Sequence, residues 1–235
     1  LKLENQYPKA IAMNLSIYDT LKQRILFFEY EPGEMLNEKR MASEFGVSRT
    51  PVREVLLRLE WEKLVSIIPR AGIMVSKVEF HQLREVFQTR APLEGMLGRL
   101  AAAKTKDFHF AKLEKIKTEC EEIIEHRSRK ALLEVDMKFR NVLHDAANND
   151  SLRETSDLLY YQTQRLWHLI FDKMAFNLLL DDELEYMRRS IDSFRKRDLD
   201  KAEAYRKEVI FTDLNRVRNI FEFSHDALSM ESGQF

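Results

Sequence analysis

Between Gly98 and Gly233 the chain carries no glycine, and after Pro92 it carries no proline. Sheet-rich folds need tight turns, and these two residues build most of them, so this long stretch is closed to a meander or a sandwich. What it shows instead is apolar residues recurring at helical spacing, over roughly 80–103, 108–127, 130–147, 151–173, 180–195 and 199–223. The expectation is an all-helical unit over 79–228, with Pro92 kinking or weakening its first helix. Composition agrees: 44% apolar and 33% charged residues in 235, with only six glycines and five prolines, describe an ordered helical chain long enough for two domains.

The first third is punctuated differently. Ile17, Tyr18, Leu21, Ile25 and Phe28 share one face of a helix over 16–28, and Pro32-Gly33 ends it as a turn. A second helix, Glu38 to Phe45, buries Met41, Ala42 and Phe45, and Gly46 suits its left-handed cap. Ser48 then reads as the N-cap of a third helix, with Pro51 in the first turn, where its missing N–H is harmless. Val52, Val55, Leu56 and Leu59 form the buried stripe of that helix. Arg49 and Arg53 stand on the other side, with no carboxylate on their face to neutralise them. Leu64 to Val78 reads as a two-stranded hairpin with Gly72 at its tip. The fold class expected is therefore mostly α: a winged helix-turn-helix over 15–78 followed by a helical bundle, with short tails at 1–14 and 229–235.

A net charge of -1, and ten basic against ten acidic residues over 15–79, give no global argument for a polyanionic partner. Clustering on one surface has to carry it. In a helix-turn-helix the second helix enters the major groove with its N-terminal residues nearest the bases. An arginine fork there matches O6 and N7 of guanine and discriminates by about 1–3 kcal/mol. Ser48, Thr50 and the helix N-terminal amides suit phosphates, Lys39 and Arg40 suit the DNA backbone, and Arg70 beside Gly72 reaches from the wing. A merely solvated face, with Glu54 and Glu60 in ordinary helical pairs, is the competing reading; turn, cap, stripe and wing together outweigh it.

Other classes find little support. No nucleophile-base pair, phosphate loop or metal-ligand cluster points to an enzyme or a cofactor. The single cysteine, Cys120, allows no intrachain disulfide and fits a reducing cytoplasm. No apolar run reaches the ~18 residues of a membrane span, and Leu1 to Asn14 mixes charged and apolar residues unlike a signal peptide.

"EKRMASEFGVSRTPVREVLLRLE" followed by "LVSIIPRAGIMV" resembles the DNA-binding domain of the GntR family of bacterial transcription regulators, over about 15–78. The resemblance implies DNA contacts from Lys39, Arg49, Arg53 and the wing near Gly72, joined by Arg40, Ser48, Thr50 and Arg70. "FQTRAPLEGMLGRLAA", "DMKFRNVLHDAANNDSL" and "RDLDKAEAYRKEVI" resemble the ligand-binding domain of the FadR subfamily, called FCD, over about 80–223. Many such relatives hold a divalent metal with one aspartate and three histidines. Asp136 keeps the aspartate, but Arg140, Met187 and Val209 stand at the histidine positions, and none of the three ligates a hard or borderline cation. No metal is expected.

Two readings of Arg140 stay open: a structural ion pair with Asp136 at i, i+4, or a fixed cation that partly replaces the metal and meets an anionic effector. Arg90, which in relatives faces the pocket, is nominated as a carboxylate partner. Met187 and Val209 suggest a cavity more apolar than in metal-binding relatives, suited to an organic acid with a hydrophobic portion such as an acyl group. The histidines at 81, 109, 126, 144, 168 and 225 form no metal pattern, and His168 reads as packed. The resemblance further implies a homodimer on an inverted-repeat DNA operator, more usually a repressor. The rival reading is a DNA-bound dimeric scaffold that senses nothing.

Overall fold

The computed structural model describes residues 9–231, with side chains over 11–79, 83–171 and 173–220; most of both expected tails, together with His81 and His225, falls outside the described residues or side chains. The chain divides between Glu79 and Phe80 into two compact units.

The first unit runs α1 (Lys9–Leu26), β1 (Met35–Leu36), α2 (Glu38–Glu44), α3 (Arg49–Trp61), β2 (Val65–Ile68) and β3 (Gly72–Val75). Helix α1 thus starts inside the segment expected to be tail. Its buried Ile17, Leu21 and Ile25 pack with Val52, Leu56 and Leu59 of α3 in a common core with Leu64, Ile73 and Val75. The wing holds a third strand that sequence does not announce. β1 pairs antiparallel with β3, Met35 opposite Met74 and Leu36 opposite Ile73, in the order β1-β3-β2. Two residues are too few to display alternation.

The second unit runs α4 (Phe80–Lys104), α5 (Asp107–His126), α6 (Arg129–Ala147), α7 (Asp150–Ile170), a 3-10 turn (Phe171–Lys173), α8 (Phe176–Arg195) and α9 (Leu199–Glu231). These follow the periodicity closely, and α4 continues as a helix through Pro92. The corners are turned without glycine. Arg127, Asn148 and Arg197 take the left-handed conformation at φ 47°, 46° and 52°, the place where glycine usually ends a helix. Arg197 is held there by its own side chain, which donates to the carbonyls of Ala102 and Thr105, both at 2.6 Å, and so also caps α4. Ser128 and Asn149 start α6 and α7 by accepting from the amides of Ala131 (3.1 Å) and Leu152 (3.0 Å).

Helix α4 lies centrally, against α6, α7, α8 and most extensively α9. Gly95 and Gly98 make the α9 contact possible. A Cβ on Gly98 would sit 2.6 Å from the carbonyl oxygen of Ala202, inside any real contact.

Candidate functional sites: an arginine face and a charged cavity

The turn before α3 is built as its residues dictate. Asn37 caps α2 by accepting from the amide of Arg40 at 3.0 Å. Gly46 follows α2 at φ 64°, and the Val47 amide reaches back to the carbonyl of Ala42 at 2.9 Å, closing the helix with a left-handed residue. Ser48 precedes α3 in an extended conformation, but its side chain makes no capping hydrogen bond, contrary to expectation. The hydroxyl stays open to an external acceptor.

Val52, Val55, Leu56 and Leu59 are buried as predicted. Lys39, Arg40, Ser48, Arg49, Thr50 and Arg53 are all exposed. The expectation that no carboxylate attends the two arginines needs correction. Arg49, 67% exposed, donates to Glu38 at 2.7 Å, a residue of α2 rather than of its own helix. Arg53 has no such partner among the described residues. The suggested helical pairs are not formed either: Glu54 accepts from Asn14 and Glu60 from the Ile67 amide, both at 3.0 Å. In the wing, Arg70 itself takes the left-handed tip conformation at φ 65°, while Gly72, at φ 122°, opens β3. Both are exposed.

The second unit contains a cavity of about 120 Å³ bounded by α4, α6, α7, α8 and α9. Beside it lies a buried carboxylate, Glu94, that no water reaches. Three guanidiniums surround it: Arg90 at 3.4 Å, Arg140 at 3.2 Å, and Arg206 in direct contact. Burial pushes the Glu94 carboxyl up, but Arg206, Arg140 and Arg90 outweigh this and hold it well below the usual carboxylate range. Sequence reasoning missed Glu94. Its signal was an Arg-x-x-x-Glu pair inside an apolar segment.

Each nitrogen of Arg140 donates to a protein oxygen: Nε to Glu94, Nη1 to Asp157 and Nη2 to Ser156. Asp136, expected to be its partner, instead accepts from the Tyr160 hydroxyl at 2.5 Å, while the Arg140 guanidinium lies over the Tyr160 ring at 4.4 Å. The helical pair is therefore not formed, because Glu94 and Asp157 on neighbouring helices outcompete a residue on the same one. Arg90 donates to Thr163 at 2.5 Å, and Arg206 to Tyr186; the Nε atoms of both have no partner among the described residues. His144 meets Ser156 at 3.3 Å and is held neutral, its pKa lowered by burial to about 3.

Of the effector residues read from sequence, Arg90, Asp136, Arg140 and Val209 border the cavity; Met187 is fully buried elsewhere in the core. The lining is also not the apolar one expected. Eight charged side chains contribute, adding Asp182, Glu183, Arg206, Asp213 and Arg216 to Arg90, Asp136 and Arg140. Glu183 lies one helical turn before Met187, and Asp213 one turn after Val209. Among the described residues, no three His, Cys, Asp or Glu side chains gather as metal ligands. At the positions where relatives ligate, the guanidinium of Arg140 offers only donors, which does not fit a cation.

Residues 14–75 match the family described as bacterial regulatory proteins, gntR family, and residues 85–210 match the FCD domain. The chain is a GntR-family transcription regulator. This regulator is 27% identical to the HTH-type transcriptional repressor RspR of Escherichia coli K12 over 234 residues, covering 98% of this chain and 100% of that protein. It is 25% identical to the HTH-type regulator YdhC of Bacillus subtilis, covering 88% of this chain and 92% of that one. Its fold matches E. coli McbR/YncC with TM-score 0.79 at 22% identity over 89% of this chain and 98% of that one. It also matches a GntR regulator from Rhodococcus with TM-score 0.71 at 18% identity, over 88% of this chain and 98% of that one. The GntR-family regulator thus binds DNA through its winged helix-turn-helix and is not an enzyme. No helix among its described residues is long and apolar enough to cross a membrane.

Proposed function

We propose that this regulator is a cytoplasmic repressor that binds an inverted-repeat operator as a homodimer and is controlled by a small molecule in the charged cavity. Arg53, with Arg49, reads guanine edges in the major groove. Lys39, Arg40, Ser48 and Thr50 hold phosphates, and Arg70 with Gly72 touches DNA from the wing. A two-fold operator follows from a two-fold protein, since half-sites one helical turn apart mirror the symmetry of the dimer.

The observation that carries the first part is the composition of α3's two faces: four buried apolar residues behind an exposed pair of arginines, one held by Glu38 and one with no ion-pair partner among the described residues. The 27% identity to RspR, a protein described as a repressor, supports the direction of control. For the second part, the buried polar cavity supports a small effector bearing a carboxylate, met by Arg90. A lining this charged does not suit a long acyl chain. A scaffold that only dimerises would have no use for so costly a collection of buried charge.

The test measures binding to the operator and to bulk DNA at fixed salt. Arg53→Ala should cost about 1–3 kcal/mol on the operator and much less on bulk sequence. Equal losses on both would reduce Arg53 to a phosphate contact. Heat-stability screening against metabolite pools tests the effector, because a scaffold gives no ligand-specific rise in melting temperature.

A further inference from the structure

The cavity is bordered by charges of both signs. Around it stand four guanidiniums, Arg90, Arg140, Arg206 and Arg216, and six carboxylates, Asp136, Asp182, Glu183 and Asp213 in the lining with Glu94 and Asp157 behind. Arg90, Arg140 and Arg206 gather on Glu94, and Arg140 also meets Asp157. Arg216 is shared between Asp182 at 2.5 Å and Asp213 at 3.9 Å. Glu183 forms no ion pair among the described residues, although the Arg206 charge still acts on it. Its Oε1 is buried with no hydrogen-bond partner, and so is Oε1 of Gln164, a residue 1% exposed that borders the same cavity. The two residues with unmet acceptors thus border the same cavity as two with unmet donors, Nε of Arg90 and Nε of Arg206, both residues 5% exposed.

Native proteins leave few buried polar atoms unpaired, and such atoms gather where a ligand completes them. Here both kinds occur, separated along the helices. Tyr186, which accepts from Arg206, and Glu183 lie three residues apart on α8, about 4.5 Å along the axis at 1.5 Å per residue. We propose that the cavity binds a small zwitterion, its carboxylate on Arg90 and Arg206 and its ammonium on Glu183 and Gln164, the two charges a few carbons apart. The inference rests on the effector reading above and narrows it. A plain organic acid would satisfy the arginine end and leave Glu183 and Gln164 buried and unmet, whereas an ammonium has the donors both lack. Asp136 and Asp213 add negative charge near Glu183. Burial first, and then Asp136 and Asp213, push the Glu183 carboxyl well above the usual range against the opposing charge of Arg206, so an arriving ammonium would displace its proton.

Calorimetry on the full chain separates the possibilities with three matched probes: γ-aminobutyrate, butyrate and butylammonium. The expected result is that γ-aminobutyrate binds at least about tenfold more tightly than either. Glu183→Gln, which is isosteric and should keep the fold, erases its advantage over butyrate, and Asp213→Asn reduces it. Binding measured in buffers of different ionisation enthalpy should show proton release with γ-aminobutyrate and none with butyrate. If butyrate binds as tightly, or if none of the three binds, the zwitterion site is refuted. In either event the broader effector reading stands or falls separately, on whether a metabolite pool raises the melting temperature or releases the protein from its operator.

Discussion

Replacing Glu94 by glutamine changes one atom and should unsettle the helical unit. Glu94 is fully buried, and its two oxygens serve Arg90, Arg140 and Arg206, which come from three different helices. Glutamine keeps a single acceptor oxygen and turns an N–H₂ toward guanidiniums that have only donors to offer. The charge is lost as well, leaving three buried cations of which, among the described residues, Arg140 alone keeps an ion-pair partner, Asp157. Breaking a buried ion pair by removing one partner costs about 3–5 kcal/mol. For a unit of this size that is a fall of roughly 10 °C in melting temperature. Acid should not reproduce the effect in the ordinary range. A carboxyl held below its usual pKa stabilises the fold at every pH above the unfolded value and loses that contribution only as pH drops toward the folded one. The assay is thermal unfolding followed by circular dichroism at pH 5 and pH 7, for wild type and Glu94→Gln. A variant melting within about 2 °C of wild type would refute the argument, since the three arginines would then be satisfied without their shared carboxylate.

The other predictions use the same measurement. Gly98→Ala should destabilise by about 1–3 kcal/mol despite alanine's better helix propensity, because its Cβ meets a backbone carbonyl of α9 at 2.6 Å. Gly95→Ala should cost less than Gly98→Ala, since the atoms it meets belong to the side chain of Lys207, which can shift, rather than to backbone. Burial pushes Asp213 up to about 7, against Arg216 and Arg90, with Asp136 and Asp182 adding to the rise. Its folded pKa exceeds its unfolded one, so the stability it contributes is complete in acid and is lost as pH rises through about 7. The melting temperature of the free protein should therefore fall from pH 5 to pH 8 less steeply in Asp213→Asn than in wild type; identical slopes would show that Asp213 ionises normally.

Much of this was legible along the chain, for reasons that differ by unit. The winged unit announces itself because its signals are local: Gly46 needs its left-handed turn, Ser48 and Pro51 begin α3, and a stripe four residues long fixes which side holds the arginines. Helix boundaries in the second unit were equally readable, since each is an amphipathic period. The cavity was not. Which residues meet there depends on how five helices are rotated about their axes, and a single sequence does not carry that. Hence Met187 falls in the core while Glu183, one turn earlier, reaches the lining. Likewise Arg140 leaves its predicted neighbour Asp136 for Glu94, which is 46 positions away. Arg49's pairing with Glu38 escaped for the same reason: the partner lies on another helix.

The left-handed corners of the helical unit set a rule for anyone editing this chain. Because Arg127, Asn148 and Arg197 bend the backbone where glycine would be the ordinary choice, each corner tolerates glycine in its geometry but not equally in its side chain. At Arg197 the guanidinium ties the start of α9 to the carbonyl end of α4. Losing that side chain would cut the tether between the two helices that carry Glu94 and Arg206, and so loosen the charged cluster from a residue that never touches it.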